Sequence, residues 1–382
     1  MKKDTLNITL QKGQRSFQKT PAPEISELDL LFKGDERSPF LAPRGVHVSN
    51  NIMVVSDTGQ NRVFIWKQIP TETYVTPDVI LGQDDIQNTG RNSGKEVNAS
   101  SLMYPSGIWT DGNKLIVADA WNHRVLIWNS MPKSNGQPAD VVIGQPDFQG
   151  NQPNVDGIGK SPSAQTLNWP YGVTVFKGKL FIADTGNRRV LVFDSIPENN
   201  FAKADHVIGK PNFHERDYDH EDPIWPYSIK FHDDGRMCIT DTQYYRVLLW
   251  NNWEDALKQK ANFILGQPSF EDSGQNQFNL YPTPNCLNWC YDSIPFRKGF
   301  LVADTGNSRV MYFDKMPNKN NESAFSVIGK EDFNTGSENF DTTIDTSKSM
   351  YWPFSLVSNQ EENKVFIADT GNHRILIHSL KD

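Results

Sequence analysis

The sequence is short of the residues that announce a chemistry. Three cysteines stand among 382 residues, Cys238, Cys286 and Cys290, too few and too clustered for a disulfide scaffold, which points to a reducing compartment. No stretch approaches the 18 or so consecutive apolar residues of a membrane span, and the basic start "MKKDTLNITLQKGQRSF" lacks an apolar run of signal-peptide length. The expectation is a cytoplasmic chain with no membrane partner. Positive charge is also short: 38 Lys and Arg against 46 Asp and Glu leave a net charge of -8, which disfavours nucleic acid as a partner. Absent too are a Gly-x-Ser-x-Gly elbow, a Walker loop, a dinucleotide fingerprint and a His-Glu-x-x-His pair. Helix-forming sequence is scarce, with "WEDALKQK" from Trp253 to Lys260 the one plausible helical turn.

What fills the chain is repetition. "MVVSDTGQNRVFIW", "LIVADAWNHRVLIW", "LFIADTGNRRVLVF", "MCITDTQYYRVLLW", "FLVADTGNSRVMYF" and "VFIADTGNHRILIH" share an Asp followed five residues later by an Arg. These are Asp57/Arg62, Asp119/Arg124, Asp184/Arg189, Asp241/Arg246, Asp304/Arg309 and Asp369/Arg374. The spacing of roughly 60 residues fits one four-stranded propeller blade with long connections. Each copy reads strand, turn, strand, with the turn glycine expected to supply a positive φ. Upstream lies a Pro and a short apolar strand, as in "PSGIWT" and "PYGVTV", with Cys290 replacing the Pro in the fifth copy; downstream lies a strand closed by Gly, as in "DVVIGQ". The upstream strand is expected to be innermost.

Six units of four strands predict an all-β fold, a six-bladed β-propeller of antiparallel blades. The sixth unit ends before a fourth strand, and "ELDLLFKG" at Glu27–Gly34 has the form to supply it. Closure through the amino terminus removes two unpaired sheet edges. The expected organisation is an extension over residues 1–26 and one propeller over residues 27–382.

The motifs "DTGNHRI", "DTGNRRV" and "DTGNSRV", each after an apolar strand, resemble NHL repeats over Glu27 to His378. That resemblance implies a six-bladed NHL propeller. It leaves function open, because similar proteins include RNA-binding and protein-binding domains, a zinc-dependent amidating lyase, and lactonase and strictosidine-synthase-like enzymes.

The repeated Asp and Arg are expected to be structural, since every blade has them. His123 and His373 fall in a variable column just before the repeat Arg, which predicts that they face solvent. Function is expected where blades differ, on the upper face that carries the long connections into each inner strand. Just before the inner-strand Pro stand Ala42, Tyr104, Trp169, Trp225, Trp289 and Trp352; just after it, Arg44, Ser106, Tyr171, Tyr227, Tyr291 and Phe354. The turns add Trp121, Tyr244 and Tyr245. The candidate ligand-binding set is therefore Arg44, Tyr104, Trp121, Trp169, Tyr171, Trp225, Tyr227, Tyr244, Tyr245, Trp289, Tyr291, Trp352 and Phe354, forming an aromatic mouth.

No metal or other cofactor is expected. His47 is the one His in its inner-strand column, Cys-x3-Cys without a second ligand pair is a weak metal signal, and Cys238 reads as core. Cys290 is expected to face the mouth. The leading expectation is a non-catalytic propeller holding a peptide, a protein partner or a small ligand. A lyase or hydrolase would use the same mouth, with Arg44 for an anionic group and a Tyr or Cys290 as reactive element. Arg44 has a rival structural reading, pairing with Asp35 or Glu36.

Overall fold

The computed structural model describes residues 19–21, 23, 25–216, 224–340, 345–359 and 363–380. Six four-stranded antiparallel sheets succeed one another along the chain. Blade one is typical, with strands Gly45–Ser49, Ile52–Asp57, Arg62–Trp66 and Val79–Leu81 from the axis outward. The inner strand of each blade lies against the next, and that of blade six, Pro353–Asn359, lies against that of blade one. The ring is closed.

Closure comes from the amino terminus. Ile25–Phe32 pairs antiparallel with Arg374–Leu380, placing Leu30 opposite Ile377 and Phe32 opposite Ile375. The strand lies two residues earlier than the sequence pattern indicates, because Gly34–Asp35 turns away to pair with Ser38–Pro39. Phe32 is fully buried with Phe64, Trp66, Phe366 and Ile375 between blades six and one. Burial of a side chain of this size contributes about 1.5–3 kcal/mol. The "WEDALKQK" segment forms a 3-10 turn at Trp253–Leu257. No helix among the described residues is long and apolar enough to cross a membrane.

Each Asp-Arg pair is a buried structural link. Arg Nε lies 2.7 to 2.8 Å from Asp Oδ2 in all six blades, with both side chains excluded from water. In blade two the Arg124 guanidinium also donates to the Phe148 carbonyl at 2.6 Å and to the Ser101 carbonyl at 2.9 Å. The Asp119 carboxylate accepts the Met103 amide at 2.7 Å. One ion pair thus ties the hairpin to the loops before and after it. Burial pushes the repeat carboxyls up, Asp57 to about 6, against the opposing pull of the paired guanidinium.

The turn differs from the expected one. Its residues form a one-turn 3-10 segment, Thr58–Gln60 in blade one, and the residue after it is left-handed, not the glycine. Asn61, His123, Arg188, Tyr245, Ser308 and His373 take φ values of 53° to 57°. The glycine is needed for space: a Cβ at Gly59 would sit 2.3 Å from the Leu41 carbonyl oxygen, and one at Gly186 2.6 Å from that of Asn168. The preceding Thr spans the blade boundary. Thr58, Thr185, Thr242, Thr305 and Thr370 each donate to the carbonyl at the start of the next inner strand, at Pro105, Pro226, Cys290, Pro353 and Pro43, over 2.5 to 2.7 Å. Blade two has Ala120 in this place.

The variable column before the repeat Arg is also a blade-to-blade contact; the expectation that it faces solvent holds for His373, which is exposed, and is corrected at His123. His123 is buried, and its Nδ1 accepts the Trp169 amide of the next blade at 3.1 Å. Asn61 accepts from Tyr104, Ser308 from Trp352, and His373, though exposed, from Ala42. In these four blades different side chains satisfy the same donor, so part of the variation reports several acceptors for one job.

Candidate functional site

The residue before the inner-strand Pro is left-handed in five blades: Ala42, Tyr104, Trp169, Trp289 and Trp352 have φ values of 46° to 57°. That conformation turns Trp169, Trp289 and Trp352 outward, and all three are exposed. Trp225 differs. Its amide, not that of the residue before it, occupies the Asp carboxylate, donating to Asp241 at 2.7 Å, where blade three uses Asn168. Blade four reaches its Pro without the left-handed step, so Trp225 is not equivalent to the other three. Its ring instead lies under the Arg188 guanidinium at 4.7 Å.

The residue after the Pro points to the axis. Arg44, Tyr171, Tyr227, Tyr291 and Phe354 converge there with Ser106. Tyr171 stacks on Tyr227 with centroids 4.8 Å apart, Tyr227 meets Tyr291 edge-on at 4.5 Å, and Tyr291 stacks on Phe354 at 4.1 Å. Tyr104 joins from the neighbouring column, stacked on Trp121 at 4.4 Å, and the Trp121 indole N–H donates to the Tyr171 hydroxyl at 3.3 Å. Seven of the candidate residues thus form one connected cluster. The rest lie apart: Trp169 beside His123, Trp289 against Tyr245, Trp352 against Tyr351, and Tyr244 buried over the Arg246 guanidinium.

Arg44 sits in the cluster with its guanidinium carbon 4.1 Å from the Phe354 ring centre and 5.0 Å from that of Tyr104. It has no ion-pair partner among the described residues. The rival reading fails at Asp35, which binds Arg37 with guanidinium-to-carboxylate contacts of 2.9 and 3.0 Å. Arg44 Nε is buried without an acceptor. Burial opposes its charge, yet the nearby Tyr227 and Tyr104 phenols hold its pKa above the ordinary value. Burial pushes the Tyr171 phenol up to about 12 and raises Tyr104 and Tyr291 as well, so these hydroxyls stay protonated at neutral pH.

Beneath the rings the channel narrows. A Cβ at Gly45, Gly107 or Gly172 would fall 2.2, 2.6 or 2.4 Å from a carbonyl oxygen of the next inner strand. The space left under the rings is about 30 Å³, room for no more than a few waters. The opposite end of the channel opens into a cavity of about 290 Å³ lined by His47, Trp109, Phe176 and Lys230. Lys230 lies 3.7 Å from Asp292, and burial, with the Lys230 charge behind it, pushes His47 down to about 3.

The cysteines take no part in the mouth, a correction for Cys290. Cys286 and Cys290 are fully buried. Cys290 Sγ faces the Arg246 carbonyl at 3.5 Å, and burial raises its thiol well above the ordinary range. Cys238 is core, as its column indicates. No group of three or more His, Cys, Asp or Glu side chains among the described residues could hold a metal ion.

Several upper-face residues lie outside the repeat columns that pointed to the rest. Phe278 and Leu280 are 87% and 86% exposed, and Tyr281 follows them on the connection into blade five. Arg91 lies 5.4 Å from the Trp121 ring. The signal for Phe278, Leu280 and Tyr281 is the segment "QFNLYP", apolar residues in a connection with no strand to bury them.

No protein-family profile matches the chain. A segment of 159 residues, 41% of the chain, is 28% identical to NHL repeat-containing protein 2 of Bos taurus, of which it covers 19%. The WD40 β-propeller domain of Doa1 aligns over 92% of this chain and 96% of that one at 9% identity, with a TM-score of 0.46. Repeat sequence and sheet order agree: the chain is a six-bladed β-propeller whose blades carry NHL-like repeats.

Proposed function

We propose that residues 27–382 act as one non-catalytic binding propeller in the cytoplasm, with residues 1–26 as an extension, and that its upper face holds a peptide or protein partner. One observation carries this reading. Of the ten exposed large apolar residues described, eight lie on connections leading into inner strands: Leu41, Ile158, Trp169, Phe278, Leu280, Tyr281, Trp289 and Trp352. Only Tyr74 and Phe325 lie elsewhere. Apolar surface gathered on one face of a ring marks an interaction surface. Arg44 and its aromatic neighbours supply a polar anchor at the centre, and the same mouth would admit a small ligand.

The test compares two surface variants of the tagged chain in affinity purification with mass-spectrometric identification. Phe278→Ser with Trp289→Ala removes apolar area from the upper face; Tyr74→Ser with Phe325→Ser removes it elsewhere. The expected outcome is loss of a stoichiometric partner in the first variant and its retention in the second, with melting temperatures close to the parent's. Retention in both, or loss only in the second, refutes the reading.

A further inference from the structure

Arg44 is a largely buried cation with no carboxylate partner among the described residues. Aromatic rings from both neighbouring blades contact it, Tyr104 of blade two and Phe354 of blade six. All N–H groups of a guanidinium lie in its plane. Rings that pack over the group leave the in-plane edge as the direction in which it can donate. Its Nε has no acceptor among the described residues, while the Tyr227 hydroxyl bonds elsewhere on the group, and an unmet buried donor is costly, the more so when charged.

The surroundings select the shape of the missing acceptor. The phenols of Tyr104 and Tyr291 have no hydrogen-bond partner among the described residues, and that of Tyr171 receives the Trp121 N–H, which leaves its own proton to donate. An in-plane fork with hydroxyl donors around it matches a planar group of two oxygens with several lone pairs. The channel directly beneath the rings leaves only about 30 Å³, so a bulky anionic group has no room to sink below them. Beside a guanidinium flanked by rings, a flat group presents both its oxygens in the donor plane, whereas a tetrahedral one directs two of its four out of that plane towards the rings.

We infer that the slot beside Arg44 receives a single carboxylate of a bound ligand, coplanar with the guanidinium, and that it excludes phosphate. This rests on the proposed binding role of the upper face and adds what the partner must carry there: a chain-terminal carboxylate or an Asp or Glu side chain. Arg44 is the charged anchor, and Tyr104, Tyr171 and Tyr291 are the hydroxyl donors around it.

The test uses the full chain and three probes at fixed ionic strength: N-acetylglycine as a chain-terminus mimic, the α-amide of N-acetylglutamate as a side-chain mimic, and inorganic phosphate. The readout is the Arg44 Nε–H cross-peak in a side-chain NMR spectrum, identified as the peak lost in Arg44→Lys. One carboxylate probe is expected to shift it saturably, the stronger one naming the source, with phosphate at least ten-fold weaker. Tyr291→Phe is expected to weaken the carboxylate several-fold while the peak and the fold persist. Equal or tighter binding of phosphate overturns the inference, as does a peak that no carboxylate moves. If the peak stays unmoved while partner retention still depends on Phe278 and Trp289, the slot falls and the binding face stands.

Discussion

His123 shows how much one side chain in this ring can carry. Its imidazole accepts a backbone N–H across a blade boundary and is buried, which pushes its pKa from 6.5 down to about 4. A lowered histidine pKa means that the unfolded chain takes up a proton first. The stability that neutral His123 contributes is complete above pH 6.5 and is lost as pH falls towards about 4, up to roughly 3 kcal/mol from this group. His47, pushed to about 3, adds to the same acid limb. Asn61 does the accepting in blade one, so His123→Asn is expected to keep stability at pH 7.5 and to flatten the fall between pH 6.5 and 4. Thermal melts across that range check both halves of the statement. Arg309 illustrates the opposite case, a charge that must be paired. Arg309→Ala leaves Asp304 buried without its counter-ion, held only by the Asn288 amide and the Asn307 side chain, and denaturant unfolding is expected to show a loss of about 3–5 kcal/mol.

At the scale of the element, the repeated hairpin is shaped by its neighbours more than by its own turn. The turn glycine looks like a φ requirement in the sequence, but its backbone is ordinary and the pressure comes from a carbonyl of the preceding loop. Blade two carries Trp121 at that place and meets the loop with a longer bond, 3.2 Å from the Trp121 amide to the Met103 carbonyl against 2.8 Å at Gly186. The Trp121 ring then reaches Tyr104 and the axis. Blade two also carries Ala120 where five blades place a Thr that bonds the next inner strand. Ala120→Thr is expected to supply the missing bond to the Pro170 carbonyl and to stabilise the protein by about 0.5–1.5 kcal/mol, measured by denaturant unfolding. No gain, or a loss, would show that this boundary has no room for the hydroxyl.

At the scale of the whole molecule, stability is a property of a closed ring. Removing residues 1–32 deletes the strand that pairs with Arg374–Leu380 and uncovers its edge, together with the apolar surface that Phe32 fills. The expected result is a lower melting temperature and aggregation on heating, followed by light scattering. Removing only residues 1–18 leaves that strand in place and is expected to change the melt little. Equal behaviour of the two truncations would refute closure by this strand.

The sequence by itself determined the blade count, the strand order, the closing strand and the structural nature of the Asp-Arg pairs. Each is written as a period or as an alternation, and periodic apolar pattern maps directly onto strands that must bury one face against the next blade. The axial position of Arg44, Tyr171, Tyr227, Tyr291 and Phe354 was legible for the same reason, because a column in the repeat is a height on the propeller. Tertiary structure alone decided what the columns could not. It made acceptors of His123 and Ser308, set Trp225 apart by one missing left-handed residue, buried Cys290, and filled the mouth with stacked rings around an Arg that no described acid neutralises. Those outcomes depend on which groups from different blades meet at a boundary or on the axis, and the side-chain hydrogen bonds that bridge blades join residues from 43 to 331 positions apart, beyond the reach of any local pattern.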